Sequence, residues 1–300
     1  MYPKPQQGLC TRRKRLSVGR EAVTICIAAA CSEKGGKDSA NLIVAACDTK
    51  ITTGYYSGDL VSLKSERLHK EWLVLLAGKI GQRPPVIHQI RDSLPKEQSY
   101  SGEEVAEVCK TAYIKYQREL AYEKALSPFG FTLDSFLKSR KEIGEAQYQQ
   151  LWRSISSIQV GFDLLVFGFD KFGFTRIFVV SNPSDENPSF ITFADDTKFA
   201  SIGTGSYLAD SALYAYSQYV GRSLEETIYH VLAAKFLSES ASDVGEATFL
   251  RVMYPDGSTK RLNADFIEEN IKTHWINHGK PKIDSEALAL IKKAVVSELK

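Results

Sequence analysis

Three short apolar segments near the N-terminus constrain the fold of this chain more than any other feature. They span residues 24–30, 42–48 and 72–78. Each consists mainly of β-branched, small or other apolar residues and is bounded by turn-forming or polar residues, so each predicts a buried β-strand. A polar residue stands at or before one end of each segment: Thr24, Asp48 and Lys64 respectively. A hydroxyl, a carboxylate and an amine on neighbouring strands would form a single polar site.

The rest of the chain alternates between groups of predicted strands and pairs of predicted helices. Further strands are predicted at 61–64, 160–169, 175–180, 190–193, 199–202 and 247–253, and helices at 84–94, 102–125, 206–220, 223–238, 264–276 and 284–299. Pro84 and Pro85 mark the start of the first helix, and Ser101 with Glu104 forms a capping-box pattern at the second. Because strands and helices come in separate runs, their order predicts an α+β fold in which two antiparallel sheets carry helix pairs on both outer faces.

Composition argues against several classes of function. Hydrophobic residues make up 43% of the 300 residues, which is enough to bury a sizeable core, and the net charge of +2 does not predict an acidic partner. The basic cluster at 12–15 lacks interleaved aromatic residues, so it predicts a solvated tail and no nucleic-acid binding. No stretch approaches the ~18 apolar residues of a transmembrane helix, and no apolar segment of a signal peptide follows the N-terminal charges. We therefore expect a cytoplasmic protein that does not bind membranes.

The five cysteines predict neither a metal site nor a disulfide framework. Their number is odd, and they include no Cys-x-x-Cys pair. Cys26, Cys31 and Cys47 fall in or beside predicted strands and are interpreted as small core residues. His274 and His278 have the only suggestive histidine spacing, which we interpret as an exposed polar face. We predict no metal and no cofactor.

Several short motifs recur in the order and spacing of a known family. Lys64 follows Asp48 by 16 residues, and Gly78 follows Lys64 by 14 residues. The segments Phe167–Asp170 and Ala200–Ser206 resemble the family's Gly-Trp/Tyr-Asp turn and its Ser-x-Gly-Ser-Gly segment. Over about residues 23–257 the chain is identified as a member of the proteasome-type N-terminal-nucleophile hydrolases, as a bacterial proteasome-like protein resembling the subunits of the 20S proteasome. The resemblance implies a four-layer αββα sandwich.

The same resemblance assigns roles to five residues. Thr24 would be the nucleophile after it becomes the N-terminal residue, and its free amine would accept the proton. Lys64 would lower the proton affinity of the hydroxyl, and Asp48 would keep that lysine charged. The backbone N–H of Gly78 would stabilise the oxyanion, and Thr204 would match a serine of the supporting shell. The implied partners are a peptide or amide substrate and further copies of the chain in a homo-oligomer.

The resemblance also implies a division of the chain. Residues 1–21 are expected to be a basic tail or propeptide, and residues 22–257 the αββα domain, with a helical insertion at about 127–155. Residues 258–300 are expected to form a C-terminal helical extension.

Two alternatives stay open at the level of sequence. A shifted alignment of the first strand places Cys26 at the nucleophile position, where a thiolate would serve. The second alternative is a structural or binding subunit without turnover, because Val23 precedes Thr24 where the family has a glycine. The segment Ser240–Glu246 matches the family's Asp-x-x-Ser-Gly-Gly only loosely.

Overall fold

A computed structural model describes residues 24–35, 41–53, 56–59, 64–185, 187–241 and 244–279. The expected basic tail at 1–21 and the second C-terminal helix at 284–299 lie outside these residues.

Twelve strands in the described residues form two five-stranded sheets and a small two-stranded ribbon. The strands are β1 Cys26–Ser32, β2 Asn41–Asp48, β3 Lys50–Thr53, β4 Tyr56–Asp59, β5 Ser65–His69, β6 Trp72–Gly78, β7 Phe162–Phe169, β8 Thr175–Val180, β9 Ile191–Phe193, β10 Phe199–Ile202, β11 Thr248–Met253 and β12 Thr259–Arg261. The first sheet has the order β10-β1-β2-β11-β12 and the second has the order β5-β6-β7-β8-β9. All the pairings within these two sheets are antiparallel, as expected from the sequence.

The first strand is buried on both faces, and its two faces differ in side-chain size. Ile25 and Ile27 face the helices that cover the first sheet, whereas Cys26, Ala28 and Ala30 face the second sheet. Alternation along a strand sends successive side chains to opposite faces, so this pattern is fixed by the sequence. The small inner residues allow the two sheets to approach each other around a shared core.

Four of the helices form two pairs, which are separated in sequence as the order of segments predicted. The α-helices of the described residues are α1 Pro84–Asp92, α2 Gly102–Ala121, α3 Leu133–Lys138, α4 Arg140–Ile143, α5 Glu145–Ser156, α6 Ser206–Ala215, α7 Leu224–Ser238 and α8 Ala264–Phe266. The pairs are α1 with α2 and α6 with α7. Pro84 opens α1, and the side chains of Ser101 and Glu104 form a complete capping box at α2. The capping box satisfies backbone N–H groups that the first turn of α2 leaves unpaired, whereas α1 begins with a proline and has no side-chain cap.

Three apolar clusters stack the elements into four layers. One cluster joins the inner faces of the two sheets. A second lies between the second sheet and the pair α1 and α2, and a third lies between the first sheet and the pair α6 and α7. The protein is therefore a four-layer αββα sandwich of the α+β class, and the fold predicted from the sequence is confirmed.

Some boundaries differ from those that the sequence predicted. The strand expected at 61–64 is found at Ser65–His69, and residues 61–63 lie outside the described parts of the chain. The helix expected to continue to residue 125 ends at Ala121 and passes into a π-helical turn, Tyr122–Leu126. Residues 127–156 hold three short helices around a small apolar cluster of their own, centred on Phe136.

Candidate functional site

The pairing of the first two strands brings Thr24 to Asp48. Cys26 lies opposite Cys47 in the register of β1 and β2, so Thr24 and Asp48 stand together at the same end of the sheet. The backbone N–H of Asp48 donates to the carbonyl oxygen of Ile25 at 3.1 Å, which extends the pairing by one residue. The hydroxyl of Thr24 donates to Oδ1 of Asp48.

Lys64 reaches the same point from the second sheet. Its Nζ donates to Oδ1 of Asp48 at 2.7 Å and also to the hydroxyl oxygen of Thr24. The exposed fractions are 2% for Thr24, 0% for Asp48 and 1% for Lys64. A buried charge needs a partner of opposite sign and further hydrogen bonds, and here the lysine and the carboxylate supply them for each other.

Asp48 receives two further hydrogen bonds from the backbone. The N–H of Ile25 donates to Oδ1 at 3.0 Å, and the N–H of Gly245 donates to Oδ2 at 3.1 Å. A carboxylate that accepts several donors is held in one orientation. A side chain on Gly245 would meet Oδ2 of Asp48 at 2.9 Å and Cβ of Lys50 at 2.5 Å, so only glycine permits this approach.

Gly78 points its backbone N–H towards the Lys64 end of β5. The N–H of Leu76 donates to the carbonyl of Lys64 at 2.9 Å, and that of Lys79 donates to the carbonyl of Gly161 at 2.7 Å on the other side of the strand. Because N–H groups alternate sides along a strand, the N–H of Gly78 lies on the same side as that of Leu76. Gly78 has φ +109°, and a Cβ there would lie 2.5 Å from the Gly161 carbonyl oxygen, so glycine is required for structural reasons as well.

An open cleft of about 570 Å³ adjoins this group of residues. Gly78 and Lys79 line one part of it, and Gly203 and Thr204 line another. A Cβ on Gly203 would lie 2.1 Å from the carbonyl oxygen of Thr24. One wall of the cleft is therefore in contact with the backbone of Thr24, although Thr24, Asp48 and Lys64 do not themselves line the cleft.

The two other residues predicted for the site are placed differently. Thr204 is exposed in the cleft, and its side chain makes no hydrogen bond to another described residue. Cys26 is completely buried, and its thiol donates to the carbonyl oxygen of Leu76 at 3.5 Å. Burial, together with the hydrogen bond to Cys47, raises the pKa of the Cys26 thiol well above its usual value, which disfavours the thiolate.

The sequence analysis did not single out two backbone contributions to the site. These are the N–H of Ile25 and the N–H of Gly245, both bound to Asp48. Only the loose match over Ser240–Glu246 pointed to the second of them. Gly245 lies 197 residues from Asp48 along the chain. Because a backbone N–H is present in almost every residue type, the sequence around Gly245 gives no sign of this contact beyond the glycine itself.

The fold is similar to a solved structure of Anbu from Hyphomicrobium sp. strain MC1, determined for a Gly-1 mutant. The two align with a TM-score of 0.56 and 18% identity, over 90% of this chain and 99% of that chain. At this identity the likeness shows the fold alone. No family model matches the chain, and no curated protein matches it. The sequence-based identification as a proteasome-type N-terminal-nucleophile hydrolase resembling the 20S proteasome subunits is therefore contradicted, and a likeness in fold to Anbu replaces it.

In the described parts of the chain, none of the helices combines the length and the apolar character needed to span a bilayer.

Proposed function

We propose that the chain is a threonine-type hydrolase of amide bonds that becomes active when Thr24 is released as an N-terminal residue. One observation carries the proposal. The Thr24 hydroxyl forms hydrogen bonds with both the buried carboxylate of Asp48 and the buried ammonium of Lys64. A strand threonine without a chemical role needs neither charge beside its hydroxyl. Burying both charges at this point favours a reactive site.

The electrostatics of the group suit activation of the hydroxyl. The Lys64 ammonium stabilises negative charge that develops on the oxygen of Thr24 during attack, and Asp48 holds the ammonium beside that oxygen. The proton of the hydroxyl passes to the free amine of Thr24, which exists only after the bond to Val23 is cut. The intact chain is thus the precursor form in this proposal.

The reaction then follows the usual course of acyl transfer. The Thr24 oxygen adds to the amide carbonyl, and the N–H of Gly78 donates to the resulting oxyanion. The leaving amine takes the transferred proton as the carbon–nitrogen bond breaks, which leaves an ester on Thr24. Water then hydrolyses the ester and restores the hydroxyl. The cleft between Gly78 and Gly203 is open to solvent and suits a peptide or amide substrate.

The test begins with the intact mass of the purified full-length protein after prolonged incubation. We expect a species that lacks residues 1–23, followed by covalent labelling with a peptide epoxyketone. That probe needs a hydroxyl and a free amine on the same residue to form its ring. Thr24→Ser is expected to preserve both cleavage and labelling, whereas Thr24→Ala is expected to abolish both.

The outcome that contradicts the proposal is an uncleaved chain that no epoxyketone labels. Cleavage before Cys26, with loss of labelling in Cys26→Ala, would instead move the nucleophile to that residue. Such a result would require the buried thiol of Cys26 to become accessible.

A second candidate function is a non-catalytic subunit on the same fold. Two observations favour it: Thr24 is only 2% exposed, and the β-branched Val23 precedes it. A β-branched residue resists the strained backbone that self-cleavage requires. An intact chain that assembles without turnover would establish this candidate.

We also propose a cytoplasmic homo-oligomer. The likeness in fold to Anbu supports assembly, and so do the aromatic side chains on the outer face of α6, where Tyr207 is 80% exposed and Tyr214 is 63% exposed. Four buried cysteines in the described residues are unpaired, which suits a reducing compartment. Sedimentation velocity of the wild type and of Tyr207→Ser is the check on assembly, and a monomeric wild type would contradict it.

A further inference from the structure

A cluster of four charged residues joins α7 to the C-terminal segment, close to the strand β11 that pairs with β2. This cluster, here called the Lys235 cluster, consists of Lys235 and Glu239 on or beside α7 and of Glu268 and Lys272 in the π-helical turn Ile267–Lys272. Lys235 donates to Glu239, and Lys272 contacts both Glu239 and Glu268 at 3.0 Å. The side chain of Lys235 has no exposed surface. Two lysines and two carboxylates balance each other's charge within the cluster.

Both lysines of the cluster also contact an acceptor that is not part of it, the backbone carbonyl of Glu246. Nζ of Lys235 donates to this oxygen, and Nζ of Lys272 lies 3.5 Å from it. An ion cluster that served only to join α7 to the C-terminal turn would not need this contact. A buried ammonium bound to a carbonyl fixes that peptide group strongly, because hydrogen bonds from charged donors are about twice as strong as neutral ones.

Backbone groups before and after this carbonyl contact Asp48 and its neighbour Thr49. Gly245 donates its N–H to Oδ2 of Asp48 at 3.1 Å. The carbonyl of Ala247 accepts the N–H of Thr49 at 3.1 Å, and Thr248 lies directly opposite Asp48 in the pairing of β11 with β2. The segment Gly245–Thr248 therefore packs against one side of Asp48, the carboxylate that pairs with Lys64.

The far end of the segment is fixed by the same cluster. The hydroxyl of Thr248 donates to Oε1 of Glu268 at 3.0 Å, and Oε2 of Glu268 contacts Lys272. The cluster thus holds the segment at two points, Glu246 and Thr248, while Gly245 and Ala247 face Asp48 and Thr49. Displacing the Glu246 carbonyl would move the Gly245 N–H away from the carboxylate.

We propose that Lys235 is a positioning residue for Asp48, acting through the Glu246 carbonyl and the Gly245 N–H. Lys272 supports it from the C-terminal segment, so residues 264–279 contribute to the geometry of the site without touching it. The structural part of this inference stands on the contacts alone. Its consequence for the nucleophile rests on the proposed function.

The test measures backbone exchange and reactivity in the full chain with Lys235→Met, which keeps the length of the side chain and removes the donor. We expect peptides covering residues 244–248 to exchange hydrogen for deuterium about tenfold faster than in the wild type. Epoxyketone labelling of Thr24 should slow about tenfold in the bond-forming rate constant, with unchanged affinity for the probe, because misplaced groups cost rate rather than binding.

Lys110→Met is the matched control, because Lys110 forms an exposed ion pair with Glu107 on α2, remote from the site. It should change neither measurement. If Lys235→Met fails to fold, Lys272→Met replaces it, since that side chain is 13% exposed, and a smaller change in the same direction is expected.

Two results would overturn the inference. One is unchanged exchange over residues 244–248 in both variants. The other is faster exchange spread evenly along α7 with an unchanged labelling rate constant, which is the signature of a merely structural lysine. If the wild type is never labelled, the proposed function fails, and the exchange measurement alone decides whether Lys235 positions the segment.

Discussion

Among the residues that the structure describes, two lysines are buried, Lys64 and Lys235, and their surroundings differ in one respect. Lys64 lies where the two sheets meet and contacts both a carboxylate and a hydroxyl, those of Asp48 and Thr24. Lys235 lies between α7 and the C-terminal turn and contacts a carboxylate and a backbone carbonyl. Of the two, only Lys64 contacts a side-chain hydroxyl, the group that we propose as the nucleophile.

The difference shows that the burial of a charge does not by itself identify a reactive site. Both lysines satisfy the same physical requirement for opposite charge and hydrogen bonds. The group that each ammonium contacts determines what the lysine can do. An ammonium makes a neighbouring hydroxyl a better nucleophile, whereas it holds a neighbouring backbone carbonyl in place.

The largest effect is expected from Lys64→Met. This substitution leaves Asp48 buried without its ammonium, so we expect a loss of about 3 kcal/mol or more in the free energy of unfolding. Labelling of Thr24 should fall by about a thousandfold, far more than in Lys235→Met. Chemical denaturation and labelling kinetics measure the two effects. Equal labelling rates in the two variants would remove the distinction between the lysines.

Gly245→Ala tests the connection between the two lysines. The added methyl group would lie 2.9 Å from Oδ2 of Asp48 and 2.5 Å from Cβ of Lys50, so the segment must shift. We expect a loss of about 2 kcal/mol in stability and slower labelling of Thr24. Gly81→Ala is the control, because no atom lies within 4 Å of its added methyl group. Equal stability and labelling in the two variants would separate Asp48 from the segment that we propose positions it.

The smallest effect concerns alkaline pH. Burial lowers the pKa of Lys235 from its ordinary value of 10.5, although Glu239 acts in the opposite sense. Below the lowered pKa the lysine is charged in both the folded and the unfolded chain, and the folded state bears the full cost of burying that charge. As the pH rises from the lowered pKa towards 10.5, the folded state releases the proton first and this cost disappears.

The free energy of unfolding of the wild type, relative to Lys235→Met, should therefore increase over that alkaline window. The expected gain is below about 1.4 kcal/mol per unit of lowered pKa. Urea denaturation of both proteins at several pH values between 7 and 10.5 gives the difference. A flat or falling difference would contradict the lowered pKa.

Much of the fold was readable because local signals and the overall pattern agree. The short apolar segments at 24–30 and 72–78 became β1 and β6, and the capping box at Ser101 fixed the start of α2. The spacing between Asp48 and Lys64 predicted that they would meet, and the structure brings them together. Their catalytic role remains a prediction.

Other features had no local signal. The lysine at 235 stands in an apolar helical stretch, and only the tertiary fold supplies Lys272 and the Glu246 carbonyl around it. The end of α2 depends on a π-helical turn that residue propensity does not specify. The motif spacing predicted the fold correctly, but it also suggested a resemblance to the 20S proteasome subunits, which was wrong. Motif spacing depends on the architecture of a fold and does not measure how closely two proteins are related.

The small residues on the inner face of β1 set a dimension of the site. Thr24 and Asp48 belong to the first sheet, whereas Lys64 and Gly78 belong to the second. The separation of the two sheets therefore sets how far the Lys64 side chain must reach to contact Asp48, where its Nζ lies 2.7 Å from Oδ1. Enlarging Ala28 or Ala30 would push the two sheets apart. Side-chain volume at these remote positions would therefore change the distance between Lys64 and Asp48.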